Sequence, residues 1–186
     1  MKFRKLQKIH QGEYLTRYNL HYETKSGQPK QYEMISRRSD LQNEEDLCNS
    51  QPDAVVMIIH NPDGDKLLLN HEFRMAVGEW VYNFPAGLID KGESVEVSAA
   101  RELREETGLH LIHISEVWKE SYSPVGFSNE KTVVIVGTAD GELQESDSEM
   151  EEIEARWFTR QEIGSLLQTA VFAARTQAYC ALWCKE

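Results

Sequence analysis

The sequence has 186 residues and a formal net charge of −11. This length allows one domain, or one domain with a small appended subdomain, to bury a core. Hydrophobic residues make up 40% of the chain, and no apolar run approaches the roughly 18 residues that suggest a membrane span. Since the negative charge would repel a nucleic-acid backbone, we expect neither a membrane nor a nucleic acid as a partner.

The first residues and the cysteines indicate the cellular compartment. Residues 1–15 are basic, and they lack both the apolar segment and the small-residue cleavage site of a secretory signal. The cysteines, Cys48, Cys180 and Cys184, are odd in number and have no metal-binding spacing with histidine. Because free thiols suit a reducing compartment, we expect a cytoplasmic protein.

The beginning of the chain predicts a small β structure. Residues 13–36 alternate apolar and polar positions on both sides of Lys25-Ser26-Gly27-Gln28, which predicts a β-hairpin. The polar stretch 37–53 follows and predicts a connection. We therefore divide the chain into an N-terminal β-hairpin subdomain, 1–45, and a main domain, 46–186.

The middle of the chain predicts a core sheet followed by a helix. The apolar runs 54–59 and 66–69 flank a turn and predict a second hairpin, whose first strand is apolar enough to be buried on both faces. Another strand is predicted at 80–84. A helical pattern then extends from Ser94 to Thr107 and is stopped by Gly108.

The last third of the chain predicts one more strand and two helices. The strand lies at 132–137, and an acidic segment, 142–154, follows it. Thr159 and Glu162 have the spacing of a capping box, which predicts the start of a helix. Because strands and helices are mixed along the chain, the pattern favours the α+β class with several topologies open.

Three carboxylates, Glu102, Glu105 and Glu106, lie within the predicted middle helix. At about 100° per residue they span an arc of roughly 100°, so they share one face. An adjacent stripe is predicted to dock the helix on the sheet; it consists of Ala99, Ala100, Leu103 and Thr107.

Such a group of acids favours a divalent cation. Two carboxylates about 4 Å apart repel by roughly 4 kcal/mol at an effective dielectric near 20. This repulsion exceeds the stabilisation that an exposed ion pair normally provides. Oxygen ligands without cysteine or histidine favour Mg²⁺ or Mn²⁺. The alternative is a solvated acidic face with salt bridges to Arg101 or Arg104.

The surrounding residues extend this pattern. Gly87 is followed after five residues by Glu93, and after seven more by the segment 101–109, Arg-Glu-Leu-Arg-Glu-Glu-Thr-Gly-Leu. This spacing resembles the Nudix box at every specified position. The resemblance implies an α/β/α sandwich with a mixed sheet, on which the box packs as a loop, a helix and a second loop. A small N-terminal antiparallel β-subdomain would be added to it.

The resemblance also implies roles for the box carboxylates. Glu102 and Glu106 would be the main metal ligands, and Glu105 a further one that also counts among the catalytic candidates. The carbonyl of Ala86 would complete the site. The implied cofactor is Mg²⁺, with Mn²⁺ as an alternative.

Four residues of the box are implied to have structural roles. Glu93 and Arg101 would form an ion pair that fixes the loop against the helix. Gly87 would allow a close approach of the backbone, and Gly108 would form the C-cap of the helix.

The flanking residues resemble the ADP-ribose and ADP-sugar pyrophosphatase branch of the family. These residues are Glu72-Phe73-Arg74, the segment 85–90 and Pro124. Two positions depart from the branch. Asn83 stands where relatives often have glutamate, and Val125 separates the usual adjacent proline and glycine.

Two residues are implied to face the substrate. Arg74 would contact the phosphates of the substrate, and Glu130 would lie on the substrate side. The alternatives are a surface ion pair for Arg74 and a loop carboxylate without function for Glu130.

The acidic stretch 149–153 resembles the loop that brings additional glutamates to the active site in ADP-ribose hydrolases. When the segments are matched outward from Ile153, the resemblance implies that Glu149 is the catalytic base and Glu151 an additional metal ligand. An acidic run is commonly only a solvated loop, and Glu152 or Glu145 could take either role.

The sequence therefore predicts Mg²⁺-dependent hydrolysis of the pyrophosphate bond of a nucleoside diphosphate linked to another group. ADP-ribose, cleaved to AMP and ribose 5-phosphate, is the leading substrate. The alternatives are a hydrolase of other nucleotide sugars or of dinucleotides such as NADH, and a non-catalytic domain that senses ADP-ribose.

The resemblance further implies a homodimer, in which the N-terminal subdomain completes the adenosine pocket of the partner. Several tyrosines are candidates for stacking on adenine, and cross-strand packing is the alternative use of their rings. They are Tyr14, Tyr18, Tyr22 and Tyr32.

Overall fold

The structure, a computed structural model, describes residues 1–48, 50–147 and 150–185. The chain forms two compact units, the first comprising Met1–Asp53 with Glu120–Thr132 and the second Ala54–Lys119 with Val133–Glu186. The N-terminal segment 1–45 falls within the first unit, and the division at that residue stays a prediction.

The first unit contains an antiparallel sheet in the order β1-β2-β3. Its strands are β1 (Lys2–Gln11), β2 (Thr16–Glu23) and β3 (Pro29–Ser36). The predicted hairpin is β2 and β3. Strand β1 was not predicted because none of its residues is buried, so no alternation of apolar residues marks it. Backbone pairing with β2 makes it a strand.

A small core stabilises this sheet. Tyr18, Leu20, Met34 and Leu41 are buried together, and the Tyr18 hydroxyl donates to the carbonyl of Arg38 at 3.0 Å. The ring of Tyr18 is therefore used for packing within the unit, in agreement with the alternative for this tyrosine.

The segment 120–132 belongs to the same unit. Its backbone joins β3 where the amide of Ile35 donates to the carbonyl of Phe127 at 2.8 Å. The short strand β9 (Ser121–Tyr122) pairs with the start of β10 (Lys131–Asp140).

The second unit has a sheet in the order β11-β5-β4-β10-β8, with β6 paired to β5 and β7 to β4. The further strands are β4 (Ala54–His60), β5 (Lys66–Arg74), β6 (Glu79–Asn83), β7 (Ala86–Leu88), β8 (His110–Val117) and β11 (Ile153–Thr159). The helices are α1 (Val95–Thr107), α2 (Arg160–Thr169) and α3 (Ala174–Trp183).

Helices cover both faces of this sheet, which confirms the predicted α/β/α sandwich. Strand β4 has five consecutive buried residues, and their side chains alternate between two cores. One core contains Val55 and Met57 with Leu103 of α1. The other contains Ile58 with residues of α2 and α3.

Helix α1 begins and ends as the sequence predicts. The Ser94 side chain accepts from the amide of Val97, and Gly108 forms the C-cap with a left-handed φ of 75°. The predicted docking stripe needs one correction. Ala100 is exposed, whereas Ser98 is buried in its place. The buried stripe is thus rotated towards Ala99 relative to the predicted one.

The closing helices also follow the prediction. Thr159 and Glu162 form the complete capping box of α2. Within the described ranges, no helix has the length and apolar character needed to cross a membrane.

The C-cap glycine generates a stability prediction. A Cβ at Gly108 would lie 2.7 Å from the Cβ of Gln144, and an L-residue at this positive φ costs about 1–2 kcal/mol. We expect Gly108→Ala to lower the free energy of unfolding by at least this amount, measured by urea denaturation.

The control is Gly164→Ala, because Gly164 lies inside α2 with nothing within 4 Å of its Cβ position. It should raise the free energy of unfolding by roughly 0.5–1 kcal/mol. Equal effects of the two changes would contradict the role of the C-cap.

Candidate active site

The three carboxylates of α1 differ in exposure. Glu106 is buried, with 8% of its surface exposed, while Glu102 and Glu105 are partly buried. The helix docks through Leu103, so its acidic side lies along the margin of the core.

Two groups hold the Glu106 carboxylate. The Nδ2 of Asn70, on β5, donates to Glu106 Oε2 at 2.8 Å. The backbone amide of Ala86, at the start of β7, donates to the same oxygen at 3.3 Å. Ala86 is thus placed beside the box carboxylates, and the ligand role of its carbonyl stays a prediction.

Burial raises the pKa of Glu106 well above its ordinary value, although the hydrogen bond from Asn70 opposes this shift. The nearby charges of Glu72, Glu102 and Glu151 raise this pKa further. The charges of three carboxylates therefore act on Glu106 within this part of the second unit.

Glu102 lies against Gly87. A Cβ on Gly87 would lie 1.8 Å from the Cδ of Glu102, so only glycine allows the strand and the carboxylate to approach this closely. Burial raises the pKa of Glu102, and hydrogen bonding from Arg101 opposes the shift.

Arg101 joins the loop before α1 to the carboxylates. Its Nη2 donates to Glu93 Oε2 at 3.0 Å and to the carbonyl of Leu88 at 3.0 Å. Its Nη1 donates to Glu102 Oε1 at 2.7 Å and to Glu105 Oε2 at 3.2 Å. One guanidinium thus contacts three acids predicted from the box.

Sequence reasoning missed Asn70 and treated Asn83 only as a departure from the family pattern. Asn83 Nδ2 donates to Glu72 Oε1 at 2.9 Å, and Asn70 and Asn83 are opposite each other in the pairing of β5 with β6. The available signal was the spacing of Asn70 and Glu72, two polar residues on one face of a strand whose preceding residues are apolar.

Arg74 lies at a cavity of about 490 Å³ in the second unit. Its Nη1 is 3.5 Å from Glu72 Oε2, and 55% of its side chain is exposed. The cavity is lined by Glu72, Phe73, Arg74, Met75, Ala76, Met150, Glu151, Glu152 and Ile153.

The candidates for the catalytic base differ in their position relative to this cavity. Glu149 lies outside the described residues. Glu151 and Glu152 line the cavity, and the backbone carbonyl of Glu152 accepts from the amide of Phe73 at 3.0 Å. Glu145 is exposed.

Glu130 belongs to the first unit. There its Oε2 accepts from Arg37 Nε at 2.7 Å. Its predicted place on the substrate side stays a prediction.

The carboxylates are near one another but not arranged as metal ligands. Considering residues 1–48, 50–147 and 150–185, no three His, Cys, Asp or Glu side chains form an assembled metal-binding group. Oxygens of Glu102 and Glu105 are directed to Arg101 instead. Side-chain rotation would be needed for these two acids to bind a cation together with Glu106.

Comparison with known proteins assigns a family. The model of the NUDIX domain family matches residues 50–180. The NAD-capped RNA hydrolase NudC of Mycobacterium tuberculosis is 31% identical over 148 residues, which cover 77% of this chain and 44% of that protein. The ADP-ribose pyrophosphatase of Saccharomyces cerevisiae is 33% identical over 107 residues, covering 56% of this chain and 46% of that protein. The chain thus spans less than half the length of these relatives.

A solved structure has the same fold. The crystal structure of an ADP compounds hydrolase superposes with a TM-score of 0.73 and 21% sequence identity, covering 100% of this chain and 95% of that chain. At this identity the similarity establishes the fold alone.

The contact between Glu93 and Arg101 generates a pH prediction. Hydrogen bonds from Arg101 and Ser98 lower the pKa of Glu93 from 4.5 to about 2. A lowered pKa stabilises the folded state above 4.5, and this stabilisation is lost as the pH falls towards 2. Glu93→Gln should therefore lower the melting temperature most near neutral pH, with a difference from the parent that shrinks on acidification.

Circular dichroism at a series of pH values measures this difference. Glu79→Gln, which removes an exposed carboxylate from β6, controls for the change in net charge. A Glu93→Gln difference that is constant with pH would contradict the assignment.

Proposed function

We propose that this chain, which belongs to the Nudix family, hydrolyses the pyrophosphate bond of a nucleoside diphosphate linked to another group. ADP-ribose is the proposed substrate, with AMP and ribose 5-phosphate as products. Membership of the family confirms the resemblance found in the box. The proposal is carried by the placement of Glu102, Glu105 and Glu106 on one helix beside the core.

The donor set fits a divalent cation. Burial raises the pKa of both Glu102 and Glu106, and a cation bound by oxygen ligands would offset the desolvation of their charges. Glu105, Glu151 and the carbonyl of Ala86 would complete the ligands for Mg²⁺, or for Mn²⁺ as an alternative. When bound, the ion neutralises charge on the diphosphate.

The chain's own residues hold parts of this site in place. Arg101, anchored by Glu93, fixes the helix against the preceding loop and neutralises part of the charge between Glu102 and Glu105. Asn70 orients the Glu106 carboxylate. Glu106 and the loop before α1 are held in place before the substrate binds and need little reorganisation, whereas Glu102 and Glu105 would have to turn from Arg101 towards the ion.

Arg74 at the cavity is assigned to substrate binding, and glutamates are the candidates for proton transfer. The Arg74 guanidinium would donate charge-assisted hydrogen bonds to phosphate oxygens. Glu149 is the proposed base that takes a proton from the attacking water. Glu105 is the second catalytic candidate, and Glu145 and Glu152 remain alternatives for the base.

A second substrate class has its own support. The similarity to an NAD-capped RNA hydrolase favours dinucleotides of the NADH type as the alternative substrates. A sensing domain without catalysis has less support, because the sequence retains every carboxylate of the box.

A substrate screen tests the function. Purified protein would be incubated with Mg²⁺ and ADP-ribose, other nucleotide sugars, NADH or NAD-capped RNA, and the products identified by mass spectrometry. We expect AMP and ribose 5-phosphate from ADP-ribose, with loss of activity in EDTA and recovery on adding Mg²⁺. The absence of AMP release from ADP-ribose would overturn the substrate assignment.

The variant Glu106→Gln tests the metal site in the same assay. Removing an outer group of a metal site costs about 10–100-fold in activity, so we expect loss of a proposed ligand to lower kcat/KM by at least about 100-fold. Glu96→Gln, on an exposed position of the same helix, should retain parental activity. A rate for Glu106→Gln within a few-fold of the parent would contradict the metal assignment.

A homodimer is part of the proposal, as is a cytoplasmic location. The N-terminal segment would complete the adenosine pocket of the partner, with Tyr14, Tyr22 or Tyr32 as stacking candidates. Sedimentation equilibrium should give twice the 21.4 kDa of one chain. A monomeric mass would contradict the shared pocket.

A further inference from the structure

A series of hydrogen-bonded, buried polar groups extends from α3 to the cavity at Arg74, and its members lie outside the Nudix box. It begins at Thr176, which is fully buried, and passes through Asn83 and Glu72, which are 5% and 7% exposed. Buried polar groups of this kind are stable only when their hydrogen bonds are satisfied.

The first step fixes the carboxamide of Asn83. The Thr176 hydroxyl donates to Asn83 Oδ1 at 2.9 Å, and the amide of Phe84 donates to the same oxygen at 3.0 Å. A flipped carboxamide would set its NH₂ group against the amide of Phe84 and its oxygen against the Glu72 carboxylate. The two donors therefore determine which way Asn83 points.

The second step fixes Glu72. With Oδ1 occupied, Asn83 presents its Nδ2 to Glu72 Oε1 at 2.9 Å. A glutamate in place of Asn83 would set two buried acids against each other. Asn83 thus satisfies the Glu72 carboxylate by hydrogen bonding without adding a second buried charge.

The third step reaches the cavity. The second oxygen of Glu72, Oε2, is 3.5 Å from Arg74 Nη1, and both side chains line the cavity of about 490 Å³. Arg74 is otherwise largely exposed, so the Glu72 carboxylate restricts the directions in which its guanidinium can point.

We propose that Thr176 and Asn83 are positioning residues for substrate binding, which act through Glu72 to aim Arg74 into the cavity. This inference rests on the proposed function, since it takes Arg74 as the group that binds the substrate's phosphates. It makes α3, a helix outside the box, part of the determinants of substrate affinity.

The kinetic test uses Thr176→Val, which removes the hydroxyl and keeps the shape. Because Arg74 would bind the substrate equally in the ground and transition states, KM should rise about 3–10-fold while kcat stays within about two-fold. Thr176→Ser retains the donor and should restore the parental KM. Asn83→Asp replaces the donor to Glu72 by an acceptor and should raise KM at least as much.

Thr169→Val is the matched control. Thr169 is exposed at the end of α2, where its hydroxyl donates to the carbonyl of Ser165, and this change should leave KM unaltered. A Thr176→Val variant with the KM of the control, or with a fall in kcat alone, would overturn the proposal. Melting temperatures show whether each variant is folded. If Thr176→Val does not fold, Asn83→Asp provides the test.

A second measurement needs no turnover. In ¹⁵N-labelled protein, the side-chain NH₂ signals of Asn83 should exchange slowly with solvent, become faster in Thr176→Val and return to the parental rate in Thr176→Ser. Unchanged exchange in Thr176→Val would overturn the proposal. If the parent hydrolysed no compound in the screen, the proposed function would fail, and the dissociation constant of ADP-ribose would replace KM in the comparison of variants.

Discussion

The Arg101 guanidinium is the contact on which the arrangement of the acidic helix depends. It binds Glu93 and the carbonyl of Leu88 on the loop side and Glu102 and Glu105 on the helix side. Glu93, Glu102 and Glu105 would repel one another if no cation lay between them. Arg101 lowers that repulsion where solvent is partly excluded, and its contact with Leu88 holds β7, which contains Gly87, next to Glu102.

Two buried carboxylates, Glu72 and Glu106, are paired with neutral side chains. Asn70 and Asn83 lie opposite each other on neighbouring strands, and each donates to one buried carboxylate, Glu106 or Glu72. A carboxamide can satisfy a carboxylate without adding a second buried charge, whose desolvation would have to be compensated. The partly exposed carboxylates are therefore compensated by the positive charge of Arg101. The buried carboxylates are compensated by hydrogen bonds from Asn70 and Asn83, with Arg74 beside Glu72.

Much of the fold followed from local sequence signals. The apolar run of β4 predicted a strand buried on both faces, and it separates the two cores. Ser94 and Gly108 predicted both ends of α1, since a cap depends on backbone geometry within a few residues. Strand β1 gave no such signal, because an exposed strand is defined by the pairing of its backbone with another strand. Ala100 was misplaced because helical periodicity gives the width of a docking face but not its centre.

The sequence by itself determined the family and the candidate carboxylates, because the spacing of Gly87, Glu93 and the segment 101–109 is a property of neighbouring residues along the chain. Only the tertiary structure decided how those acids are held. Asn70 reaches Glu106 across 36 positions, and Thr176 reaches Asn83 across 93. Contacts over such separations depend on strand register and on the docking of α3, and no local pattern of residues encodes them.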